Sequence, residues 1–232
     1  VDDSAGVPLA ETAPGTFVRL VANLVVEDAA PVATLALLKH PLAAAGVTPA
    51  TCRRHARAIE KLALRGPRPG AGLAGIAALL RDHDGDLAAW LDDIAARVAP
   101  LVNAMAASET PLADLVAAHV SAAEALAATP TESGANRLFA DEAGETLHSL
   151  LSELIEHGAV IGAVGGASYP AALDALLTAL PVRPRFGSHP RLAILGPLEA
   201  RLQRFDVTVL GGLNEGTWPA EPAADPWISR PM

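Results

Sequence analysis

One cysteine, two methionines and an aromatic share of only 3% stand out as scarcities in a chain of 232 residues. Cys52 alone can form neither an internal disulfide nor a thiolate metal site, which fits a reducing cytosol. With so few aromatics, the 51% hydrophobic content is mainly Ala, Leu and Val, a composition that favours close-packed helices over sheets and excludes disorder of the whole chain. Bases are also scarce: 17 Lys and Arg face 26 Asp and Glu, for a formal net charge of -9. That balance excludes a chain that coats nucleic acid with its whole surface, though it leaves room for a local basic patch. There is no long apolar run free of charge, Pro or Gly, and no charged-then-apolar leader, so a cytoplasmic protein without membrane contact is expected. The start at Val1 and the stop at Met232, directly after Trp227-Ile228-Ser229-Arg230-Pro231, read as a fragment of a longer protein.

Residues 1–15 carry Gly6, Pro8, Pro14 and Gly15 and read as an extended segment. Helical patterning begins at Thr16 as N-cap, resumes after Asp28 with Pro31 in the first turn, and stops at Pro41. Thr48-Pro49 opens a third helix, whose Arg53, Arg54, Arg57 and Lys61 lie opposite Ile59, Leu62 and Leu64. The run Gly66-Pro67-Arg68-Pro69-Gly70 ends it. Further helices are predicted at about 72–82, 86–107, 111–128, 133–158 and 169–180. After Pro181 the character changes: Leu192-Ala193-Ile194-Leu195 and Val207-Thr208-Val209-Leu210 suit buried strands, joined by a short helix or loop from Pro197 to Arg204, and 211–232 reads as loop.

Few groupings promise chemistry. The seven histidines lack the i, i+4 pairing of a helical zinc site. Arg81-Asp82-His83-Asp84-Gly85-Asp86 lacks the acid spacing of a calcium loop and reads as a solvated turn before a helix. No phosphate-cradling Gly-x-x-x-x-Gly-Lys-Ser/Thr run, nucleophile elbow or paired-carboxylate nuclease centre is present. The stripe Arg53, Arg54, Arg57 and Lys61, extended by Arg65 and Arg68, has two readings: a DNA backbone contact, or the solvated face of an amphipathic helix.

The most specific stretch is Val207-Thr208-Val209-Leu210-Gly211-Gly212-Leu213-Asn214-Glu215-Gly216-Thr217-Trp218-Pro219. A strand delivering Gly-x-Asn-Glu-Gly-x-aromatic-Pro resembles the UvrD-like superfamily of DNA helicases, where it belongs to the second RecA-like motor domain. The longer run Leu192 to Arg230, with Asp2-Asp3-Ser4-Ala5-Gly6-Val7-Pro8-Leu9 and Leu37-Leu38-Lys39-His40-Pro41-Leu42, is similar to the alphaproteobacterial AddB family. On the residues alone, the same glycines also suit a tight turn with Trp218 packed beneath it.

The resemblance implies a mainly α fold, with a helical insertion domain over 16–180 attached to a small α/β, RecA-like portion that contributes few parallel strands, from 1–15 and 181–232. It implies a subunit of an ATP-dependent helicase–nuclease that processes DNA double-strand breaks for recombination. The partners would be an AddA-like helicase–nuclease subunit and, through the full complex, double- and single-stranded DNA. ATP, Mg2+ and an iron–sulfur cluster would belong to the parent, outside this segment. Active family members carry Lys-Gly-Leu-Glu-Phe before the strand, whereas this chain has Arg201-Leu202-Gln203-Arg204-Phe205. Arg204 in place of the acid cannot accept a ribose hydroxyl, so a degenerate motor segment is expected. Arg201, Arg204, Asn214 and Glu215, with Arg53, Arg54 and Arg57, are the candidate nucleic-acid-binding residues; no catalytic residue and no metal ligand is expected. Two rival readings stay open: a helical protein-interaction scaffold without DNA contact, and a stand-alone α/β enzyme using the 196–216 loops.

Overall fold

The computed structural model describes residues 2–3, 6–183, 191–196, 198–214 and 216, and the chain divides into two units, 1–194 and 195–232. The first unit is mainly helical. Helix α1 (Ala13–Val26) starts where the Thr12 side chain accepts from Gly15 N, four residues before the expected cap at Thr16. Pro14 fits inside this helix because first-turn N–H groups have no helical partner anyway. Helices α2 (Pro31–Lys39), α3 (Pro49–Ile59, continued by a π-helical turn Glu60–Leu64), α4 (Gly72–Leu80), α5 (Gly85–Ala106) and α6 (Leu112–Ala127) follow close to the predicted boundaries.

The helix expected over 133–158 is two helices, α7 (Gly134–Leu138) and α8 (Asp141–Ile161). The chain turns between them at Phe139–Asp141, with Asp141 at φ 58°. The turn is tight: Gly144 of α8 lies so close to the Phe139 backbone that a Cβ there would sit 2.3 Å from the Phe139 carbonyl carbon, so only glycine fits. Helix α9 (Tyr169–Ala179) completes the body.

Alanine and leucine make one continuous core, with Phe17, Leu37, Ile59, Leu91, Leu115 and Leu126 all below 2% exposed. On α6 the buried positions Leu112, Leu115, Val116, His119, Ala122, Ala123 and Leu126 recur at helical spacing, placing a histidine on the apolar stripe. No helix among the described residues is long and apolar enough to cross a membrane.

The strands are short and sit mostly where the body opens and closes. β1 (Asp2–Asp3) pairs in parallel with β6 (Ala193–Ile194), and β2 (Val7–Pro8) pairs antiparallel with β5 (Pro181–Val182). Leu9 N donates to Leu180 O at 2.7 Å, tightening the same neck. A third pair, β3 (Thr110–Pro111) with β4 (Ala163–Val164), is antiparallel and ties the start of α6 to the end of α8.

The expected strand Val207–Leu210 is not formed: these residues join no strand pair among the described residues, with Val207 80%, Val209 89% and Leu210 59% exposed. A buried parallel strand needs a neighbour to complete its hydrogen-bond ladder, and among the described residues none lies beside it. Residues 198–202 form turns rather than a helix, with Glu199 Oε2 accepting from Gly196 N at 2.8 Å.

Candidate nucleic-acid interface

Helix α3 is positioned by a cap and a buried stripe. Thr48 Oγ1 accepts from Thr51 N at 3.2 Å and Pro49 opens the first turn. Cys52, Ala56 and Ile59 face the core, so the i, i+3, i+7 set Arg54, Arg57 and Lys61 faces solvent, with Arg53 half-buried at its edge. Among the described residues no carboxylate lies within ion-pair distance of Arg53, Arg54, Arg57 or Lys61; Arg54 makes a 3.3 Å contact to Thr51 Oγ1.

The neighbouring bases are committed elsewhere. Lys39 and Arg65 converge on Glu60 at 2.6 and 3.0 Å, and these two partners hold the Glu60 carboxyl down to about 2. Arg68 donates to the Glu27 carbonyl, Arg81 pairs with Asp92, and Arg97 pairs with Asp93. The run of unpaired bases therefore ends at Lys61; Arg65 and Arg68, the expected extension, stay exposed but engage Glu60 and the Glu27 carbonyl. Four cations left without counter-charges on one helix face can trade bound counterions for phosphates, which is the electrostatic basis of nucleic-acid affinity. No exposed aromatic ring accompanies them on α3, so the face offers phosphate contact without a stacking platform.

In comparisons with known proteins, no family model, no curated protein and no solved structure matches the chain.

The other candidate residues belong to the second unit. Arg201, Arg204 and Asn214 are exposed, and Asn214 N donates to Gly212 O at 2.8 Å in a tight turn. Leu202 holds a φ of 62°, a left-handed conformation that a leucine adopts only at a cost. Glu215, Trp218 and Trp227 lie outside the described residues.

Sequence reasoning missed two polar residues that organise the body. His119 is fully buried between Tyr169 and α1: its Nε2 contacts Val18 O at 2.9 Å and its Nδ1 contacts the Tyr169 hydroxyl at 2.8 Å. A carbonyl only accepts, so Nε2 carries the proton and Nδ1 accepts from the tyrosine O–H. Burial holds His119 neutral, lowering its pKa to about 4, and pushes the Tyr169 phenol upward. Arg137 of α7 donates to the carbonyls of Pro41, Leu42 and Ala127, clamping the 41–46 loop, whose Ala43, Ala44 and Ala45 are buried, to the end of α6. His119 was legible as a polar residue on a helical apolar stripe; Arg137 carries no local signal, because its acceptors are far away in sequence.

Proposed function

We propose that this chain is the helical insertion, with part of its host sheet, of an AddB-like subunit in an ATP-dependent helicase–nuclease that processes DNA double-strand breaks for recombinational repair. In this reading the α3 face helps line the DNA path. The neck carries the proposal: β1 pairs with β6 in parallel and β2 closes on β5, so the chain leaves a parallel pair, builds a helical body and returns beside its point of departure. Ends that lie side by side let a domain be inserted into a host without disturbing it, which supports this reading. The RecA-like host rests on the resemblance of 192–230, with the parallel pair as its physical support.

The motor segment is degenerate in this account. Leu202 stands where the family pattern has glycine and retains a glycine-like positive φ, while Arg204 replaces the acid. Translocation and cleavage then fall to an AddA-like partner and to other parts of the parent. The metal and cluster that the resemblance implies find no fitting donors here. Among the described residues no group of three or more His, Cys, Asp or Glu is arranged for a metal, and the buried Cys52 thiol contacts Leu38 O and is pushed up to about 11. The role of this chain in this reading is to help shape the DNA path or the contact with the partner subunit.

Fluorescence anisotropy of a labelled duplex over a series of salt concentrations tests the reading. Four phosphate contacts predict a slope of log affinity against log salt of about -3.6, and Arg53→Glu/Arg54→Glu/Arg57→Glu should remove most of it. Unchanged affinity and slope in the triple variant would favour the interaction scaffold without DNA contact.

A further inference from the structure

The apolar packing of the body leaves a recess. Between the end of α1, the start of α4 and the middle of α5 lies a cavity of about 210 Å³, walled by Leu24, Val25, Leu73, Val98 and Val102, with Asp28 at its lip. Its floor is contiguous, because Ala95, Val98, Ala99 and Val102 follow the i, i+3, i+4, i+7 spacing that keeps side chains on one helix face. The alanines of that floor and Gly72 opposite are too short to fill the space, and Val102, 41% exposed, marks where it opens to water. Asp28 and Ala29 hold consecutive left-handed conformations at the lip, φ 52° and 50°. Asp28 N donates to Val25 O at 3.0 Å and Ala29 N to Leu24 O at 2.8 Å, so the fold fixes a backbone that non-glycine residues adopt only at a cost.

Size and charge indicate what fits. An apolar cavity of roughly 150 Å³ takes a benzene molecule, so this recess suits a single ring or a short branched chain and is too small for a drug-sized ligand. A docked helix or strand sets a row of side chains into a groove, which this volume cannot hold, and no aromatic ring lines it for a proline-rich segment. Asp28 supplies the polar contact. Its Oδ1 lies over Gly72, 3.6 Å from where a Cβ would stand, and among the described residues its carboxylate has no hydrogen bond and no ion pair. No base lines the recess and none occupies the last turn of α1, so the negative pole of that helix lies beside Asp28. Arg68 reaches this helix end but contacts the Glu27 carbonyl, at 3.4 Å. We infer that the recess binds a small primary amine, with a ring or branched alkyl body against Val25, Leu73, Val98 and Val102 and the ammonium on the Asp28 carboxylate. The inference goes beyond the DNA reading and uses none of the α3 residues, so each can fail alone.

The test titrates the isotope-labelled full chain with benzylamine by NMR, with benzyl alcohol and benzoate as neutral and anionic probes of the same shape. Benzylamine should shift the amides at 24–29, 72–74 and 95–102 to saturation, with benzyl alcohol about fivefold weaker and benzoate weaker still. Asp28→Asn keeps a residue suited to the left-handed backbone and should bring benzylamine down to the affinity of benzyl alcohol. Ala99→Leu fills the recess and should abolish binding of both. Asp28 is exposed, so Asp28→Asn should keep the parent spectrum elsewhere and decides the result even where Ala99→Leu disturbs the packing. Shifts that do not saturate or that centre outside the recess would overturn the inference. So would either control probe binding as tightly as benzylamine, or Asp28→Asn or a folded Ala99→Leu chain binding benzylamine like the parent.

Discussion

The two halves of the helical body share a core and differ in their surfaces. Residues 31–97 carry nine Lys or Arg and six Asp or Glu, whereas residues 98–182 carry one base and ten acids. That single base, Arg137, is spent inward on backbone carbonyls. Yet Leu37, Ile59 and Leu91 of the first half are as completely buried as Leu101, Leu115 and Leu126 of the second. Burial of aliphatic surface fixes the bundle, and the charges, which contribute little to it, decide what each half meets. The first half exposes unpaired cations on α3, and the second exposes Glu153 and Glu156 of α8, which have no ion pair among the described residues.

If the core is indifferent to the halves, equivalent truncations should cost the same. Leu91→Ala and Leu115→Ala are each expected to lose about 2–5 kcal/mol in denaturant unfolding. A loss confined to one of them would show two separately stabilised halves. The next largest effect lies in the acidic half and depends on pH. His119 is held neutral in the fold, to about 4, against 6.5 unfolded, so below 6.5 the unfolded chain binds the extra proton. Its contribution is complete above pH 6.5 and falls as pH drops toward 4, by about 1.4 kcal/mol per unit and up to about 3 kcal/mol. His119→Phe should flatten that part of the stability profile; a profile as steep as the parent's would place the acid sensitivity elsewhere.

Removing the clamp of Arg137 leaves its acceptor carbonyls unpaired, so Arg137→Ala is expected to cost about 2–3 kcal/mol in the same assay. Smallest of all, Arg53→Glu/Arg54→Glu/Arg57→Glu should change unfolding free energy by no more than about 0.5 kcal/mol per site. A large loss there would mean that the basic face supports the fold and is not free for a ligand.

Much of the helical body was legible because a helix satisfies its backbone within itself. Thr48-Pro49, Pro31 and the apolar spacing of α6 announce their helices without reference to any neighbour. Where position depends on distant residues, the sequence was silent. Arg137 finds its acceptors ten and some ninety-five residues away. The run Val207–Leu210 is as apolar as any strand, but apolarity cannot supply the missing partner, and it stays exposed. Of the candidate site, the α3 stripe was legible as a pattern. That Arg68 engages the Glu27 carbonyl was not, because that acceptor becomes a neighbour only in the fold.

Mapping a short DNA duplex onto the isotope-labelled chain by NMR tests the division between the two faces most directly. The account predicts shifts concentrated at 51–61, fading as salt is raised, with the amides at 153–161 unmoved. Shifts at the end of α8, or none on α3 at low salt, would contradict it.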